Sequence, residues 1–104
     1  MKKYLFVAAG IVALATSMNV QAADLEAGQA TYQACISCHG PTAQGQAIFP
    51  ALVGKDADYL ADKLARYRAG EQVGANTPLM APHAMGLSDE DIANVAAYIA
   101  ETFN

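Results

Sequence analysis

Cys35-Ile36-Ser37-Cys38-His39-Gly40 holds both cysteines of the chain and one of its two histidines. Two thiols three residues apart can bind zinc, exchange as a dithiol, close a short disulfide or carry a covalently attached group. A structural zinc takes four ligands. After residue 22 the chain offers at most Cys35, Cys38, His39 and His83. His39 directly follows Cys38, a poor geometry for three ligands from one turn. A thioredoxin-like dithiol wants a βαβ setting, and no segment here shows a sustained strand alternation. A disulfide across two residues closes too small a loop to add much stability, and it leaves His39 without a role.

Cys-x-x-Cys-His is also the attachment signal of c-type haem. Each thiol adds to one vinyl group on the same edge of the porphyrin, forming a thioether. The two-residue gap lets one helical turn reach both vinyls. The adjacent histidine then points under the ring, where its Nε2 can bind iron. This reading gives every residue of the motif a task.

The start of the chain bears on the same question. Lys2 and Lys3 precede an uncharged apolar run from Leu5 to Ala15, and Val20-Gln21-Ala22 places small or apolar residues before a cut. That is the layout of a secretory signal peptide, residues 1–22, removed after Ala22. The run is short of the roughly 20 residues a membrane-spanning helix needs. Residues 23–104 then form one 82-residue domain. Losing Lys2 and Lys3 takes the net charge from −4 to −6. Nucleic acid, which rewards basic surface, is a poor partner for such a domain. A partner with a basic docking patch suits it.

Three helices are legible after residue 22. The first covers about 24–34, capped by Asp24, with Leu25, Gly28 and Tyr32 at helical spacing. The second covers about 56–69, capped by Asp56 and stopped by Gly70, with Leu60, Leu64 and Tyr67 as its apolar stripe. The third begins at Ser88. Asp89, Glu90 and Asp91 place negative charge on its positive end, and Ile92, Val95, Ala96, Ile99 and Phe103 mark a buried face. Segments 40–54 and 73–86 read as irregular loops, yet they carry Ile48, Phe49, Leu52, Val53 and two methionines. Loops this long usually wrap something.

On GQATYQACISCHG, FPALVG, DADYLADKLARYRAGEQ and LMAPHAMGLSDEDIANVAAYIAETF, the chain after residue 22 resembles the class I c-type cytochromes. It is similar to one half of the two-haem bacterial cytochromes of the c-four type and to their small single-haem relatives. The resemblance implies an all-α fold, about three main helices wrapped around one covalent haem c. It implies attachment at Cys35 and Cys38, and His39 as one axial ligand.

For the other axial ligand the residues themselves offer Met80, Met85 and His83. The resemblance places it at Met80, seven residues before Leu87. It also implies that the Pro50 carbonyl accepts from the proximal histidine's Nδ1–H, fixing the ring. Gly28, Tyr32 and Tyr98 match the family's crossing of first and last helices. An arginine near a haem carboxylate is common in the family, and Arg66 and Arg68 are both available here.

Iron held on both sides has no vacant position for a substrate. The expected function is therefore a periplasmic single-electron carrier between redox proteins, not an enzyme and not inserted in a membrane. The alternative is the haem-bearing subunit of a periplasmic oxidoreductase whose catalysis lies on another chain.

Overall fold

A computed structural model describes residues 23–104, and the expected signal peptide lies outside the described residues. Five helices follow one another: α1 (Leu25–Tyr32), α2 (Ile36–His39), α3 (Ala57–Arg68), α4 (Thr77–Ala84) and α5 (Asp89–Thr102). Extended pairing among the described residues is limited to one bridge between Gln46 and Phe49. The fold is all-α, as expected.

Helices α1, α3 and α5 start where their capping residues say. The Asp24 carboxylate accepts from the Ala27 amide and that of Asp56 from the Tyr59 amide. At α5 the cap is reciprocal. Ser88 Oγ accepts from Asp91 N–H, and the Asp91 carboxylate accepts from Ser88 N–H, both at 3.0 Å. Each satisfies amides that the first turn leaves without partners.

α1 and α5 cross closely. A Cβ on Gly28 would stand 2.7 Å from Tyr98 Cβ and closer still to the Asn94 carbonyl oxygen. Only glycine fits there. Asp24 N–H donates to the buried Asn94 side chain at 2.9 Å, which pins the start of α1 to α5. Tyr32, Tyr98 and Phe103 pack ring against ring, with centroids 5.5–5.9 Å apart. Tyr32, Leu60, Val95, Ala96 and Ile99 are buried and form the centre of the core with Ala43. Leu25 departs from its expected place, since it lies 43% exposed on the outer side of α1.

Segment 73–86 is not an irregular loop: its middle is α4. Asn76 precedes it without a side-chain cap, and Pro78 sits in the first turn, where its missing N–H costs nothing. Thr77 organises the entry instead. Its hydroxyl accepts from the Val73 and Gly74 amides at 2.9 and 2.8 Å and donates to the Gly74 carbonyl. Thr77 and Ala84 are buried, so tertiary packing holds a helix that local propensity does not announce.

Candidate functional site

The turn that carries the motif is short and well anchored. Cys35 N–H donates to Tyr32 O and His39 N–H to Cys35 O, each at 2.8 Å, so α2 continues from α1 after a slight offset. Tyr32 O–H donates to Gly40 O at 2.7 Å inside the core. Burial, then the neighbouring Cys35 and Tyr98, pushes the Tyr32 hydroxyl up to about 12.

Segment 40–54 folds back on the turn. Gly45 N–H donates to His39 O, and Leu52 N–H to Ala43 O, both at 2.8 Å. Gly45 has φ +75°, and a Cβ there would stand 2.6 Å from Phe49 O, so this bend needs glycine. The bend delivers the Pro50 carbonyl to His39 Nδ1 at 2.8 Å. A carbonyl can only accept, so Nδ1 carries the hydrogen. Nε2 of the neutral ring is left with its lone pair free. His39 is buried, 7% exposed.

These groups open onto one cavity of about 450 Å³. Cys35, Cys38, His39, Phe49 and Pro50 line it from the motif and its loop. Leu60, Leu64 and Tyr67 come from α3, Leu79, Met80 and His83 from α4, and Val95 and Ile99 from α5. The apolar stripe of α3 and part of that of α5 thus face the cavity. Ile48 and Leu79 also line it, and they remain 55% and 50% exposed.

Of the residues singled out from the sequence, Cys35, Cys38, His39, Pro50 and Met80 all meet at this cavity. Met85 does not line it and is 66% exposed. The two methionines are five residues apart on a helix of 3.6 residues per turn, so they point to different sides. Neither arginine lines the cavity. Arg66 pairs with Glu71 at 3.2 Å and Asp62 at 4.0 Å, and Arg68 pairs with Asp89 at 2.7 Å. Lys55, Tyr59 and Lys63 do line it, although the sequence reading gave the two lysines no role. Only Tyr59 and Lys63 share the four-residue spacing of one helix face; Lys55 precedes α3.

The chemistry of the donor set separates the alternatives. Among the described residues no three His, Cys, Asp or Glu side chains gather as a metal cluster, so a tetrahedral zinc has no frame. Burial, then the charge of Cys38, pushes the Cys35 thiol up to about 11. Exchange-active dithiols instead depress the pKa of the attacking thiol. What remains is a planar apolar guest held at one edge by two sulfurs, with a fixed imidazole nitrogen open to a metal. The residues fit a c-type haem.

Comparison with known proteins agrees. The family model for cytochrome c matches residues 25–103. Cytochrome c-554(548) of Halomonas halodenitrificans is 49% identical over 78 residues, covering 74% of this chain and 94% of that one. A thiosulfate dehydrogenase electron acceptor of Stutzerimonas stutzeri is 42% identical over 100 residues, 86% of this chain but 44% of its own length. The crystal structure of reduced recombinant cytochrome c4 from Pseudomonas stutzeri superposes with a TM-score of 0.69 at 27% identity, over 79% of this chain and 50% of that one. The chain therefore spans nearly all of its shorter relative and about half of the longer ones. It belongs to the cytochrome c family. Its cofactor is covalently bound haem c, and it is an electron-transfer protein rather than an enzyme. No described helix is long and apolar enough to cross a membrane.

Proposed function

We propose that the protein is a periplasmic carrier of single electrons, with one haem c attached at Cys35 and Cys38 and ligated by His39 and Met80. The observation that carries this reading is the His39–Pro50 hydrogen bond of 2.8 Å at a cavity shared by both cysteines and Met80. The bound haem supplies an iron that gains and loses one electron. The protein's part is to keep the coordination unchanged while it does so. Pro50 holds the imidazole in one orientation and tautomer, and raises its basicity. Pro78 and Pro82 stiffen the chain on either side of Met80, so less entropy is lost when a weak thioether ligand binds. A soft thioether favours reduced iron and raises the potential. The apolar lining from α3 and α5 excludes water.

Export follows from the layout of residues 1–22, with cleavage after Ala22. The donor would be a cytochrome bc complex or a periplasmic dehydrogenase, and the acceptor a terminal oxidase or reductase. The relative named as an electron acceptor of thiosulfate dehydrogenase supports a dehydrogenase donor. The charge of −6 after cleavage suits a partner with a basic docking surface. Visible spectra of the purified protein test the ligation. A weak charge-transfer band near the red end of the oxidised spectrum reports a methionine–iron bond, and its absence removes Met80 from the proposal. Intact mass of protein released from the periplasm tests the cut and the attached haem together.

A further inference from the structure

Both histidines of the chain line the cavity. His39 is held there by Pro50, but His83 has no such partner. Among the described residues its ring makes no hydrogen bond and no ion pair. It follows Met80 by three residues on α4, so the two lie one turn apart on the same side of the helix. Met85, two residues further on, leaves that side and does not line the cavity. Pro82 stands between Met80 and His83. It has no N–H to tie itself to Pro78, so the last turn of α4 is joined to the first by one hydrogen bond fewer. Lys55 and Lys63 are the other basic side chains that line the cavity. Their ammonium groups lie over the Tyr59 ring, with Nζ 5.3 and 5.2 Å from its centroid. An ammonium has no lone pair for a metal, whereas a neutral imidazole is the commonest metal ligand.

We propose that His83 is a reserve axial ligand, which takes the place of Met80 on the oxidised iron when the methionine–iron bond is lost. The inference rests on the reading of His39 and Met80 as the ligands. Methionine in place of histidine raises a haem potential. The thioether is therefore the weaker partner of oxidised iron, and imidazole the stronger. Position works the other way. Met80 is half-buried at the cavity and His83 is exposed, so His83 reaches inward only as the last turn of α4 moves with it. Met80 thus holds the iron of the intact protein, and His83 holds it once the thioether is gone. The consequence is a carrier that falls in potential when the thioether fails, yet does not open to small ligands.

The test uses the oxidised holoprotein at neutral pH. Met80→Ala should lose the red charge-transfer band yet keep a low-spin spectrum. Met80→Ala/His83→Ala should turn high spin. His83→Ala alone should keep the band, since Met80 is still bound. Added imidazole should bind Met80→Ala about tenfold more weakly than the double variant, because His83 occupies the site in about nine molecules of ten. Carbethoxylation mapped by mass spectrometry reads the ring itself. His83 should react freely in the parent and about tenfold more slowly in Met80→Ala, where iron takes its nitrogen. Met80→Leu keeps the apolar volume and repeats each measurement should Met80→Ala fail to fold.

A high-spin Met80→Ala protein, with the band intact in the parent, overturns the proposal and leaves Met80 in place. A low-spin spectrum that survives the added His83→Ala change also overturns it, and its loss in Met80→Ala/Lys55→Gln/Lys63→Gln would assign the role to a lysine. A parent without the red band, turned high spin by His83→Ala alone, makes His83 the primary ligand. That outcome brings down the Met80 reading and the reserve role together.

Discussion

Gly28→Ala is the smallest change that tests how the haem-bearing turn is held. The added Cβ would stand 2.7 Å from Tyr98 Cβ and 2.7 Å from the Asn94 carbonyl carbon. Carbon atoms in ordinary contact sit about 3.5–4.0 Å apart, so the crossing of α1 and α5 must open by about 1 Å. The opposing atoms are backbone or Cβ, so no flexible side-chain tip can yield. Overpacking of this kind costs about 1–3 kcal/mol, at the upper end here because two helices must move. Alanine returns about 1 kcal/mol of helix propensity. The opening also strains the Asp24–Asn94 bond of 2.9 Å and the Tyr32–Tyr98 contact. The net expectation is a loss of about 2 kcal/mol, which lowers the melting temperature by roughly 8–16 °C in a domain of this size. Thermal melts of the oxidised holoprotein by circular dichroism measure it. Gly54→Ala is the control. Its φ is +78° but nothing lies within 4 Å of the new Cβ, so it costs only the left-handed strain of about 1–2 kcal/mol, without moving a helix. A Gly28→Ala protein that melts at or above the parent temperature refutes the close crossing.

Met80→Ala should lose the red charge-transfer band, lower the potential and admit added imidazole or cyanide, whereas Met85→Ala should keep the band. The reverse pattern would move the ligand to Met85. The Cys35→Ala/Cys38→Ala apoprotein should lose most helical circular dichroism, because a cavity of about 450 Å³ stands where its core would be. Native-like helicity in that variant contradicts the expectation. The Tyr32 hydroxyl, pushed up from 10.0 to about 12 by burial, sheds its proton later in the folded than in the unfolded chain. Stability from this group is full below about pH 10 and falls between about 10 and 12. Tyr32→Phe should flatten that fall, while costing about 1 kcal/mol at neutral pH for the lost bond to Gly40. Electron-transfer rates with the physiological partner should decrease as ionic strength rises, and rates flat or rising with salt would point to apolar docking.

The sequence by itself determined what depends on near neighbours. Asp24, Asp56 and the Ser88–Asp91 pair fix the starts of three helices, because a cap acts over three residues. The Cys35–His39 spacing fixes the chemistry of the motif, because one turn of chain sets the reach of both thiols. Gly28 and Tyr98 were legible through family resemblance, and the structure supplies the reason in the missing Cβ. Segment 73–86 was not legible as a helix. Its prolines and Gly74 read locally as a loop, and only the burial of Thr77 and Ala84 gives α4 a reason to form. That helix in turn separates Met80 from Met85, two like residues that the sequence tells apart only through the prolines flanking Met80 and family resemblance. The approach of Pro50 to His39 spans eleven residues and depends on the bend at Gly45. The gathering of Lys55 and Lys63 on Tyr59 was equally hidden. Charge counts show how many cations a chain has, but which of them face a cavity is decided by the rotation of α3 against the core.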